Sequence, residues 1–96
     1  MTEAQFQRQV KQVVKERFPG CYVYKTDSQQ LQGSPDLLIL YKDKWAALEL
    51  KRNAKATHRP NQDYRVQQMN EMSFAAFVYP ENLQEVLDDM ARSFEA

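Results

Sequence analysis

The sequence predicts an α/β protein: one domain on a mixed four-stranded sheet, with elements in the order αβββαβα. Three observations lead there. Apolar residues at helical spacing open and close the chain, β-rich runs fill residues 21–51, and a further helix and strand precede the last helix. Alternating elements of these lengths pack as a sheet flanked by helices. A chain of 96 residues suits a single core, here a domain covering 1–96.

Each element has a local reason. Thr2 can cap a helix whose apolar residues fall at Phe6, Val10, Val13, Val14 and Phe18. Pro19-Gly20 stops it. Cys21–Thr26 is β-branched and aromatic, hence a strand, and Asp27–Ser34 reads as a polar loop. Pro35–Tyr41 is apolar and too short for a helix. A turn at 42–44 returns the chain as Trp45–Lys51, so the two runs form a hairpin whose partners sum to about 86. A basic connection, 52–59, leads to Pro60, which suits the first turn of a helix reaching Met72. Ser73–Tyr79 is the last strand. Pro80 opens a helix with Leu83, Val86, Leu87, Met90 and Phe94 on one stripe.

Charge and composition narrow the function classes. Thirteen basic and thirteen acidic residues cancel, yet residues 1–72 carry a net +4 and residues 73–96 a net −4. A mildly basic body permits phosphate binding without requiring it. The longest apolar run, Leu37–Tyr41, is far short of the ~20 residues of a membrane helix. The first residues show no basic start followed by an apolar run, so no signal segment is expected. One cysteine, Cys21, cannot close an internal disulfide, so a reducing cytoplasm is expected, and thiolate-pair metal sites are excluded. No Gly-rich phosphate loop occurs, and no serine or cysteine has an evident base partner.

The chemistry lies in the hairpin. Glu49 and Lys51 point to one face of their strand while Leu48 and Leu50 point to the other. Asp36, at the start of the preceding strand, falls opposite that stretch. Two carboxylates and an ammonium therefore converge at one end of the sheet. Such a group can complete an octahedron around Mg²⁺, which uses few protein carboxylates and keeps its waters. The ion then acidifies a water and offsets charge at a phosphorus, while the lysine orients the water or stabilises the transition state. A buried ion pair is the alternative, although burying three charges rarely stabilises a fold. Glu3 lies on the apolar stripe of the first helix, so its carboxylate either faces the sheet or complements the helix dipole. Gln62 opens the second helix, on the face of Val66 and Met69; it either reaches the lysine, a water or a phosphate, or binds solvent. Lys25, Lys55, His58, Arg59 and Arg65 are candidate nucleic-acid contacts. Lys42, Lys44 and Arg52 are expected around the same site.

Gly33-Ser34-Pro35-Asp36, a gap of twelve residues, then Glu49-Leu50-Lys51 resembles the motif of the PD-(D/E)XK nuclease superfamily. Gln32-Gly33-Ser34-Pro35-Asp36-Leu37-Leu38 and Pro60-Asn61-Gln62 are similar to the pattern of small stand-alone VRR-NUC-type domains of bacteriophages. The resemblance spans Glu3 to about Glu85 and implies a restriction-endonuclease-like αβββαβ core with an added C-terminal helix. It implies metal ligation by Asp36 and Glu49, with the Leu50 carbonyl and Glu3 contributing, and action of Lys51 and Gln62 on water and phosphate. The expected function is a Mg²⁺-dependent DNA endonuclease, with Mn²⁺ as a substitute. It would nick DNA or cut branched, flap or four-way-junction DNA, and a homodimer would supply two active sites. The competing expectations are a non-cutting nucleic-acid-binding module on the same fold and a phage structural or interaction protein.

Overall fold

The computed structural model describes residues 1–27 and 34–96. The elements are α1 (Glu3–Arg17), β1 (Tyr22–Lys25), β2 (Leu37–Tyr41), β3 (Lys44–Leu50), α2 (Gln62–Met72), β4 (Phe74–Val78), a 3-10 turn (Pro80–Asn82) and α3 (Leu83–Glu95). The predicted order holds. The glycine of the Gly33-Ser34-Pro35-Asp36 motif and most of the predicted polar loop lie outside the described residues.

α1 begins where expected, with a full capping box. The Thr2 side chain accepts from the Gln5 backbone N–H, and the Gln5 side chain accepts from that of Thr2. It ends at Phe18, and Gly20 takes the left-handed φ of +91° that reverses the chain towards β1. α2 starts at Gln62 rather than Pro60, because Pro60 and Asn61 form a turn in which the Gln62 N–H donates to the Arg59 carbonyl.

The sheet order is β1-β2-β3-β4, antiparallel among the first three strands and parallel between β3 and β4. A parallel neighbour needs a crossover, and α2 supplies it. The β2–β3 partners run from Leu37↔Leu48 to Tyr41↔Lys44, one residue tighter than predicted. The reason is a two-residue turn at Lys42-Asp43, with Lys42 in the left-handed region (φ 57°), where a three-residue turn was expected. A one-residue slip exchanges strand faces. The observed register carried one step further sets Asp36 across from Glu49, and opposed residues point to the same face.

One face of the sheet holds the core. Leu37, Ile39, Ala46, Leu48 and Val78 cluster with Phe6, Val10 and Val14 of α1 and Val86, Leu87 and Met90 of α3. Each large aliphatic buried there contributes about 1.5–3 kcal/mol. On the other face α2 packs over β3 and β4. Tyr22, Tyr24 and Leu40 on β1 and β2 stay exposed on that side, as does part of Trp45. No helix among the described residues is long and apolar enough to cross a membrane.

Candidate active site

The second face becomes polar where β3 approaches its end. Glu49, only 6% exposed, lies under α2. Gln62, equally buried in the first turn of that helix, donates from Nε2 to Glu49 Oε1 at 3.0 Å. Its Oε1 accepts from the Lys51 ammonium and from the Arg59 backbone N–H, each at 2.8 Å. The Lys51 ammonium also donates to the Thr57 carbonyl at 3.2 Å. The amide thus links the acid, the ammonium and the connecting loop, as one of the two readings of Gln62 anticipated.

Asp36 is fixed from both neighbouring strands. The Thr26 backbone N–H donates to its carbonyl at 3.0 Å, and the Thr26 hydroxyl donates to the carbonyl of Pro35. Its own Oδ2 accepts from the Leu50 backbone N–H at 2.7 Å. Pro35 cannot donate and favours extended backbone before it, so the short Ser34-Pro35 approach delivers Asp36 to the sheet end. Burial first, and then the neighbouring Asp36 carboxylate, push Glu49 up to about 8, against the opposing pull of Lys51 and Arg59. Two carboxyl groups here share one position that local cations do not fully neutralise.

These groups line a cavity of about 230 Å³ together with Glu3, Phe6, Gln7, Ser34, Arg52 and Arg59. Among the described residues no three His, Cys, Asp or Glu side chains cluster closely enough to grip an ion unaided. The donor set nevertheless suits Mg²⁺, which is held by one or two carboxylates plus water and substrate phosphate. Asp36 and Glu49 could hold it. Glu3 lines the same cavity from the exposed first turn of α1, a place open both to the helix dipole and to an ion held by Asp36 and Glu49. Leu50 is present through its N–H to Asp36, and its side chain packs against the core.

The predicted phosphate contacts divide. Arg59 and Arg52 line the cavity. Lys25, exposed at the end of β1, pairs in register with Leu37 and so lies at the same end of the sheet. Lys55 is exposed on the connecting loop without lining the cavity. Arg65 is half-buried one turn beyond Gln62, and its Nε has no partner among the described residues. Lys42 and Lys44 sit at the hairpin turn, the opposite end of β2 and β3 from Asp36 and Glu49, because the strands run away from the site towards that turn. His58 turns from the cavity to Asp63 and Phe77. Sequence reasoning did not find Gln7 or the Thr57 carbonyl. Gln7 carries a signal, its i+4 spacing from Glu3; a backbone carbonyl in a loop carries none.

Two solved structures share this fold. One is a VRR_NUC domain, at TM-score 0.62 and 22% identity over 84% of this chain and 92% of that one. The other is Hjc, a Holliday junction resolvase from Archaeoglobus fulgidus, at TM-score 0.56 and 12% identity over 79% of this chain and 67% of that one. No family model matches the sequence, and no curated protein matches it significantly.

Proposed function

We propose that residues 1–96 act as a single Mg²⁺-dependent DNA endonuclease domain that hydrolyses phosphodiesters by direct water attack. The observation that supports this best is the buried Glu49 beside Asp36, tied through Gln62 to Lys51, at the sheet end of a nuclease fold. Mg²⁺ or Mn²⁺ would supply an acidified water and offset charge on the phosphate. Asp36 and Glu49 hold the cation. Lys51 places its ammonium at the cavity, where it stabilises the charge that develops on the phosphate oxygens. Gln62 keeps that ammonium and the Glu49 carboxylate in register. Arg59, Arg52 and Lys25 receive the DNA backbone.

A four-way junction or flap is the proposed substrate class, by analogy with the resolvase. Cutting paired strands takes two sites, and the uncovered sheet face supports a symmetric dimer. Antiparallel strands facing water normally alternate apolar and polar residues, whereas here Tyr22, Tyr24, Leu38 and Leu40 are all apolar or aromatic on that side. Tyr22 is 65% exposed, Tyr24 51% and Leu40 37%. With whole aromatic side chains covering about 200 Å², these three expose on the order of 300 Å², enough for the apolar centre of an interface burying about 800 Å² per partner. The hollow beside them is lined by Thr26, Ser34, Pro35, Leu38, Leu40, Trp45, Ala47 and Met69, without a charged group. DNA would ask for cations there; a second copy asks for apolar surface.

The test is cleavage of nicked, linear and junction DNA with Mg²⁺ or Mn²⁺ by the wild type, Asp36→Ala and Lys51→Ala. Metal-dependent cutting lost in both variants is expected. Wild-type binding without cutting would leave a DNA-binding module in its place.

A further inference from the structure

The Lys51 ammonium leans on a loop with little hydrogen bonding of its own. Between β3 and α2 the backbone closes two small turns, Ala56 N–H to the Asn53 carbonyl at 3.2 Å and Gln62 N–H to the Arg59 carbonyl at 3.0 Å. Thr57, whose carbonyl accepts from Lys51, lies between these turns and belongs to neither. A carbonyl so placed cannot hold an ammonium steadily unless something else fixes its segment.

The next residue does this. The His58 ring lies flat on Phe77 of β4, with centroids 4.0 Å apart and planes 18° from parallel. Its Nδ1 is 2.7 Å from the Asp63 carboxylate in the first turn of α2. The loop is thereby fastened to a strand and a helix at once, beside the site, because Phe77 pairs in register with Glu49. The Arg59 N–H then reaches Gln62. Three consecutive residues, Thr57 to Arg59, thus join the ammonium, the anchor and the amide.

We propose that His58 is a positioning residue: stacked on Phe77 and bonded to Asp63, it fixes the Thr57 carbonyl that holds the Lys51 ammonium at the carboxylate pair. This rests on the role of Lys51 proposed above. It removes His58 from the candidate DNA contacts, since one ring face is covered, Nδ1 is engaged and the residue does not line the cavity.

The experiment reads Lys51 without needing activity. Metal-free, DNA-free protein is trace-labelled with an amine acetylating reagent, and the labelling of Lys51 is compared by mass spectrometry with that of the exposed Lys42. His58→Ala frees the ammonium from one acceptor, so Lys51 labelling rises severalfold relative to Lys42. His58→Phe keeps the stack and gives a smaller rise. Asp63→Asn, at a carboxylate 71% exposed and therefore safe for folding, shifts labelling in the same direction. Unchanged Lys51 labelling in folded His58→Ala and in Asp63→Asn overturns the proposal. In the cleavage assay kcat falls by about ten- to hundredfold, as small misplacements of reacting groups do, with KM for DNA unchanged. A raised KM at constant kcat would mean that His58 touches DNA, and overturns it too. If the wild type does not cut DNA, the nuclease reading fails while the labelling result still decides this one.

Discussion

The two halves of one sheet face differ in everything but their backbone. On β3, Trp45, Ala47 and Glu49 point the same way as Tyr22, Tyr24, Leu38 and Leu40 across the neighbouring strands. Towards the hairpin turn that surface is apolar and open. Towards the other end it carries Asp36, Glu49, Lys51 and Gln62 around a polar cavity under α2. The same β-rich sequence therefore builds a surface that rejects water and a pocket that concentrates charge. The polar half stands against the desolvation cost of burying ionisable groups, so it calls for a reason outside folding, and binding a cation and a phosphate is such a reason. The apolar half has the opposite problem, hydrophobic area left in water, and a protein partner resolves that.

Substitutions in each half should have separate consequences. The largest effect belongs to the polar half: Lys51→Ala lowers kcat by about a hundred- to thousandfold, the range for removing one electrostatic stabiliser, and leaves the sedimentation coefficient unchanged. Leu40→Lys combined with Tyr24→Glu does the reverse. Analytical ultracentrifugation should show dimer turning to monomer, because two charges at a hydrophobic centre cannot both be desolvated. Nicking of one strand continues at the wild-type rate per site, while paired cuts at a junction are lost. If that variant and the wild type sediment alike, the apolar half is not a self-association surface.

The smallest expected effect is on stability. Burial, and then Asp36, raise Glu49 from 4.5 to about 8, so the folded metal-free protein keeps a proton that the unfolded chain gives up. That stabilisation is complete below about pH 4.5 and is lost as the pH rises to about 8. Urea unfolding of the metal-free wild type should thus show lower stability at pH 8 than at pH 5. Glu49→Gln should lose most of that slope and, at pH 8, equal or exceed the wild type. Equal wild-type stability at both pH values would contradict a Glu49 that keeps its proton in the folded state.

Much of this was legible from side-chain pattern alone. Helical spacing marks α1 and α3, a short apolar run and its return after a turn mark β2 and β3, and Asp36, Glu49, Lys51 and Gln62 are odd residues for the places they occupy, which is why they stand out. What depends on turn geometry was not legible: Lys42 adopting a positive φ shortened the hairpin and moved the register by one. Lys42 and Lys44 were expected near the site, although a hairpin turning at 42–44 with Asp36 at its open end already sets them at the far end of their strands. Glu3 shows that a place on an apolar stripe does not decide burial in a first helical turn, where the end is open to solvent. His58 was invisible in its actual setting because its partners, Asp63 and Phe77, come from two separate elements.

Manganese binding without DNA settles whether Asp36 and Glu49 are a cation site or merely a buried acid pair. Titrating the protein with Mn²⁺ and counting free ion by electron paramagnetic resonance should show saturable binding in the wild type at pH 8, weaker at pH 6 because Glu49 must first lose its proton. Asp36→Asn and Glu49→Gln should each bind more than about a hundredfold more weakly, a loss beyond that of disturbing an outer partner, with circular dichroism unchanged. Equal Mn²⁺ affinity in the wild type and both folded variants would contradict the whole assignment.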